Sequence, residues 1–189
     1  LDRNADIFLR ITKIAAGLES TILGERAILE QVKRALKTSS MSPNQHLWLL
    51  INSAVDCASM VRQKYDFYSP HSYGTIAAKL LLQKTDLEVR GLGIIGAGSM
   101  VNDFLSTLSA PHRKSYLPNS IYIVNRTLTT ARDMARRYQM DALVQQLDQL
   151  DEVVKNTSHV FIAVGGIIFT GNSFTLLENN RVVDICFPT

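Results

Sequence analysis

The chain has 189 residues, of which 46% are apolar and 20% charged, and its formal net charge is +3. That much apolar side chain excludes a disordered chain, and at about 100–200 residues per domain the length allows one domain or two small ones. Ten Gly and five Pro exclude collagen-like and low-complexity sequence. The two Cys, Cys57 and Cys186, cannot build a disulfide framework, which favours a reducing compartment.

No apolar run approaches the roughly 18–20 residues of a membrane span, so no membrane partner is expected. The polar start, Leu1-Asp2-Arg3-Asn4, is not a signal peptide. It lacks an initiator Met, which suggests a chain trimmed from something longer. Basic residues gather at Lys33-Arg34 with Lys37, at His112-Arg113-Lys114, and at Arg132 with Arg136-Arg137. These read as solvated surfaces, with a weak attraction for a polyanion as the alternative.

The patterning is helical up to about residue 86. Ile22, Leu23, Ile28, Leu29, Val32 and Leu36 recur at helical spacing, predicting a helix over 21–37. A second helix is expected from Ser42, with Ser42 as N-cap, Pro43 at the first helical position and Gln45 completing a capping box. Leu47, Leu50, Ile51, Ala54, Val55, Ala58 and Val61 form its apolar face. Tyr68-Ser69-Pro70 breaks the pattern, and a further helix is expected over 72–84.

From about residue 87 the period changes. Leu92–Ile95, Ile121–Val124, Val160–Val164 and Val182–Ile185 are short apolar runs suited to strands buried on both faces. Helical stretches lie between them, at 99–109, 128–139 and 146–156. Strand–helix alternation predicts an α/β fold, a Rossmann-like doubly wound parallel sheet. The expected domains are a helical part over 1–86 and a nucleotide-binding part over 87–189.

Gly96-Ala97-Gly98-Ser99-Met100-Val101 follows the first strand and opens a helix, which is the context a dinucleotide fingerprint requires. Gly96 permits the tight turn, Gly98 lets the backbone approach a pyrophosphate, and the helix N-terminus supplies N–H donors. Val101 stands where the fingerprint has its third glycine, a position that serves helix–strand packing. A glycine-rich turn that binds nothing is the alternative. An NAD site wants a carboxylate at the end of the second strand. This chain has Asn125-Arg126-Thr127, and a guanidinium can fork onto a 2′-phosphate. NADPH is therefore favoured over NADH, unless Arg126 is an ordinary surface arginine.

Gly17-Leu18-Glu19-Ser20-Thr21-Ile22-Leu23-Gly24-Glu25-Arg26-Ala27-Ile28-Leu29-Glu30-Gln31-Val32-Lys33 resembles the signature of the glutamyl-tRNA reductase family, G-L-[DE]-S-x-[VI]-L-G-E-x-Q-I-L-x-Q-V-[KR]. Val61-Arg62, the Gly96-Ala97-Gly98 turn, Val124-Asn125-Arg126-Thr127 and Asp184-Ile185-Cys186-Phe187-Pro188 are similar to later family motifs in the same order. The resemblance spans essentially the whole chain. It implies NADPH-dependent reduction of glutamyl-tRNA to glutamate-1-semialdehyde, the first step of five-carbon tetrapyrrole (5-aminolevulinate, porphyrin) biosynthesis. In the family a Cys thiolate attacks the glutamyl ester, and NADPH then reduces the thioester. The helical part would be the remnant of a catalytic domain. Ser20, Glu25, Arg26, Ala27 and Gln31 fall on substrate-contacting positions. Ser20 as a helix N-cap and Gln31 as a solvated side chain are the plainer readings. The implied partners are glutamyl-tRNA, a second copy through a C-terminal region, and the downstream aminomutase. The implied compartment is the cytoplasm, or the plastid stroma in a plant, and no metal is expected.

The chain departs from the family at several positions. No T-C-N-R segment, which carries the family nucleophile, occurs in these residues. Cys57 and Cys186 match no nucleophile position and read as small buried apolar residues. The family His ten residues before the motif Ser is replaced by Arg10, which cannot act as a base near pH 7. Ala27 stands where the motif has Gln. The expectation is therefore a fragment of a divergent reductase, inactive by itself. A non-catalytic NADP-binding or regulatory paralog is the alternative. A third reading, a shikimate-dehydrogenase-like oxidoreductase, needs a Lys–Asp pair, for which Lys64-Tyr65-Asp66 offers only the residue types.

Overall fold

The computed structural model describes residues 3–81, 90–111, 117–164 and 180–186. The chain separates into two compact units, Leu1–Ser72 and Tyr73–Thr189. The expected division after residue 86 differs because the helix following Ser72 packs on the second unit.

In the first unit, α1 (Arg3–Ala16), α2 (Arg26–Thr38) and α3 (His46–Lys64) pack together. Ala15, Ala16, Leu29, Val55 and Ala58 form the core, with Val32 and Ile51 against it. Three alanines there let α1 and α3 approach closely. The helix expected over 21–37 starts five residues late. Gly17 (φ 79°) and Gly24 (φ 72°) bracket a loop, and Glu25 is the N-cap of α2. The second helix is also displaced: residues 42–45 form a turn and α3 begins at His46. The Ser42 N–H donates to the Gln45 amide oxygen (3.2 Å), so half of the expected capping box exists, one turn before the helix.

The second unit opens with α4 (Tyr73–Leu81). It continues with β1 (Leu92–Ile95), α5 (Ser99–Leu108), β2 (Ile121–Val124), α6 (Leu128–Arg137) and β3 (Ala142–Gln145). A 3₁₀ turn (Leu147–Gln149) leads into α7 (Leu150–Asn156), β4 (His159–Ile162) and β5 (Arg181–Asp184). The sheet is parallel, in the order β3-β2-β1-β4-β5. Leu92, Ile94, Ile121, Ile123 and Phe161 face α4, α5 and α6. Ile95, Val124, Val160 and Ile162 face α7 from the other side. Phe104 of α5 stacks on Phe161, ring centroids 4.1 Å apart. The doubly wound parallel sheet is thus present.

Four strands were expected from apolar runs, and β3 is the strand they miss. It lies at the sheet edge, half-buried at best, so its sequence lacks the continuous apolar character of the strands beside it.

Candidate functional site

β1 lies between β2 and β4, so chains leave it on both sides and a crevice opens at its carboxyl end. The Gly96–Val101 turn sits there. Gly96 has φ 116°, and a Cβ on it would lie 2.2 Å from the Ala163 carbonyl oxygen. Only glycine fits that place. Gly98 meets nothing within 4 Å where its Cβ would be, and it is the N-cap of α5 with no side chain filling that role. Among the described residues no side chain caps the first N–H groups of α5, which makes that helix end a ready anion site.

A cavity of about 240 Å³ is lined by Gly96, Ala97, Gly98, Asn125, Arg126, Leu147, Ala163 and Val164. The first five were expected from the sequence. Leu147, Ala163 and Val164 were missed, since nothing local marks them; the sheet order brings them in. The Asn125 amide nitrogen donates to the Thr127 carbonyl oxygen (2.9 Å), shaping the turn that carries the exposed Arg126. Thr127 is the N-cap of α6. Ser99 is exposed and Met100 half-buried at the start of α5. Val101 is fully buried in the core between α5 and the sheet and does not line the cavity. The glycine pair, the uncapped helix end and the cavity beside them fit a nicotinamide dinucleotide.

In the first unit the structure brings together part of the expected substrate set. The Ser20 hydroxyl donates to the Glu25 carboxylate (3.5 Å) and accepts the Ile22 N–H (3.3 Å). Ser20 is therefore not a helix N-cap. Glu25 is 5% exposed at the start of α2. The Arg26 guanidinium lies over the Tyr68 ring, 5.4 Å from its centroid. Ala27 is half-buried, while Gln31 is exposed.

Arg62 holds this loop; the sequence marks it only as part of the Val61-Arg62 family motif, with no role attached. It is fully buried and donates to the carbonyl oxygens of Ala15 (3.2 Å), Gly24 (2.7 Å) and Glu25 (2.9 Å). Tyr68 lies against it, 5.0 Å from the guanidinium. Burial lowers the Arg62 pKa, with the Arg26 charge acting in the same direction and Tyr68 against it. The available signal was a charge at the end of the series Ala54, Ala58, Arg62, in register with the core face of α3.

Arg10 pairs with Glu19 (3.1 Å) and is largely exposed. Both cysteines are half-buried rather than buried. Burial is the main reason the Cys186 thiol pKa is raised, and the neighbouring Asp184 carboxylate adds to it. Lys64 ends α3 with its ammonium 5.4 Å from the Tyr65 ring centroid, and Asp66 follows at φ 47°. Among the described residues no group of His, Cys, Asp or Glu could hold a metal ion, and no helix is long and apolar enough to cross a membrane. His112-Arg113-Lys114 and Phe187-Pro188 lie outside the described residues.

The family model described as glutamyl-tRNAGlu reductase, N-terminal domain, matches residues 2–65. The model described as shikimate / quinate 5-dehydrogenase matches residues 77–189. Glutamyl-tRNA reductase of Crocosphaera subtropica is 32% identical over 165 residues, covering 85% of this chain and 37% of that protein. That of Methanothermobacter marburgensis is 29% identical over 194 residues, covering 100% of this chain and 45% of that protein. The solved glutamyl-tRNA reductase from Methanopyrus kandleri aligns over 84% of this chain and 40% of its own, at 22% identity and a TM-score of 0.38. The chain thus spans less than half the length of these relatives.

Proposed function

The chain belongs to the glutamyl-tRNA reductase family, its residues 77–189 matching the shikimate/quinate 5-dehydrogenase model, and from that premise we propose that it is the substrate-loop and NADPH-binding portion of an enzyme reducing glutamyl-tRNA to glutamate-1-semialdehyde. The observation that carries this reading is the joint presence, in one chain, of the Ser20–Glu25 loop and the open glycine turn. Tetrapyrrole synthesis is the pathway the family implies.

Gly96, Ala97 and Gly98 seat the pyrophosphate, with the α5 N–H groups of Ser99, Met100 and Val101 as donors. Asn125 and Thr127 shape the turn from which Arg126 reaches a 2′-phosphate. A bound NADPH supplies hydride. Ser20 and Glu25 offer hydroxyl and carboxylate to the ammonium of the glutamyl group, and Arg26 offers a cation to its side-chain carboxylate. Ala27 and Gln31 complete the matched positions, Gln31 from the exposed face of α2. The thiolate that accepts the acyl group belongs to a segment these residues do not include.

Titration with NADPH and NADH by calorimetry tests the cofactor assignment. The expected result is a preference for NADPH that is lost in Arg126→Ala, at a cost of about 1.5–3 kcal/mol for a charge-assisted contact. Equal binding of the two cofactors overturns the 2′-phosphate role. A second reading, a non-catalytic NADP-binding paralog, is favoured by Arg10, which replaces the family His and is engaged with Glu19.

A further inference from the structure

The outer face of α2 carries more like charge than any other described helix, and of its cations the site chemistry above uses only Arg26. Arg26, Lys33 and Lys37 lie within about 40° of one another around the helix axis, and Arg34 lies within about 60° of Lys37. All four are exposed. The acid among them is Glu30, held by Lys33 at 3.3 Å. Leu29 and Leu36 turn into the core roughly 90° around the axis from Lys37, so the packing of the helix leaves the basic stripe at the surface. From Arg26 to Lys37 the stripe runs about 16 Å. It begins at the loop where Ser20 meets Glu25.

We infer that this face of α2 is an RNA-docking surface that holds the phosphate backbone of the tRNA while its esterified end lies at the Ser20–Glu25 loop. This inference rests on the proposed substrate. A line of cations on a rigid helix matches a line of phosphates, and such contacts position a nucleic acid without reading its bases. Arg132 and Arg136 of α6 are a poorer candidate, because the Ser20–Glu25 loop belongs to the first unit and α6 to the second.

The test is binding of the whole 189-residue chain to an unacylated glutamate-accepting tRNA transcript across a range of salt. The affinity should fall with a log–log slope of about −2 to −3, as expected for three or four released counterions. The triple variant Lys33→Gln, Arg34→Gln, Lys37→Gln should lose at least tenfold in affinity and flatten that slope by about two. These exposed changes should leave the circular dichroism spectrum and NADPH binding as they are. The pair Arg132→Gln, Arg136→Gln should leave tRNA binding unchanged. An unaltered slope in the triple variant overturns the surface, as does an equal loss in the α6 pair. Vesicles of phosphatidylserine and phosphatidylcholine bound as tightly as tRNA, with the same dependence on α2, overturn the RNA assignment. If tRNA binding follows α2 but NADPH does not bind, the reductase reading fails and the RNA surface stands. If NADPH binds and α2 has no effect, only the surface fails.

Discussion

The guanidinium of Arg62, near the end of α3, lies 2.7 Å from the carbonyl oxygen of Gly24, thirty-eight residues earlier in the chain. Together with its bonds to Ala15 and Glu25, this ties the end of α1, the site loop and the start of α2 to one buried cation. Arg62→Met should therefore remove the side-chain donor from the buried Ala15 and Glu25 carbonyls and leave Gly24 with the Ser69 N–H alone. The loss should be about 3 kcal/mol or more, read as a fall in the urea midpoint of the first unit. Arg62→Lys should recover little of it, since one ammonium cannot reproduce a planar fork. Wild-type stability in Arg62→Met would sink this account of the loop.

The two glycines of the turn should fail differently. Gly96→Ala meets the Ala163 carbonyl and a positive φ, so it should destabilise the second unit along with cofactor binding. Gly98→Ala meets open space, so its melting temperature should stay within about a degree or two while NADPH affinity falls at least tenfold. A Gly98→Ala protein that binds NADPH normally would remove the pyrophosphate from that place.

Val101 stands at the third-glycine position of the fingerprint. Its full burial away from the cavity suggests a role in packing alone. Val101→Ala should cost about 2 kcal/mol by leaving a cavity against the sheet. NADPH affinity, measured well below the melting temperature, should not improve.

His159 begins β4 with 1% exposure, its Nδ1 3.0 Å from the Ser158 hydroxyl and its Nε2 without a partner among the described residues. Burial, and then the charge of Arg181, lower its pKa from the usual 6.5. The unfolded chain therefore binds more protons than the folded one as the pH falls through 6.5. The stability this group contributes is present above that value and is lost below it, with a slope that cannot exceed about 1.4 kcal/mol per pH unit. Urea midpoints at pH 7.5 and 5.5 should differ in the wild type and differ less in His159→Gln. Equal pH dependence in both would show that other groups are responsible.

By itself, the 189-residue chain should not reduce glutamyl-tRNA. Cys186 is held as a thiol by its surroundings, and its N–H donates to Asp184 at 2.8 Å, keeping a carboxylate beside the sulfur. Cys57 sits on α3 one residue after Asp56. Incubation with radiolabelled glutamyl-tRNA and NADPH should give neither semialdehyde nor label on the protein. Product that disappears in Cys57→Ser would make Cys57 the nucleophile after all. If adding a segment with the family Cys fails to restore activity, Arg10→His is the next variant.

The strands at the centre of the sheet are legible because burial on both faces leaves no polar position in Ile121–Val124 or Leu92–Ile95. The edge strand β3 is not, since Leu143 is 57% exposed and Gln145 is polar. Helix starts are displaced for a similar reason. Ile22 and Leu23 continue the apolar spacing of α2 backwards, but Gly24 in a left-handed conformation ends the pattern. Five of the eight residues lining the cavity were readable because a fingerprint is local. Leu147, Ala163 and Val164 arrive through strand order, which no local pattern encodes.

The floor of the cavity is main chain tied to main chain. The Gly96 amide donates to Val124, Ala163 to Ile95, and Asn125 to Gln145, each carrying the ladder one step past its strand. Amide protons at the mouth of a binding site usually exchange quickly. Here they can leave only when the sheet itself opens, so Gly96 and Ala163 should exchange as slowly as the centre of β1. A ligand then settles on a surface that is already ordered, and its entropic cost falls on side chains such as Arg126. Substitutions at the rim can thus alter which cofactor is held while its seat keeps the same shape.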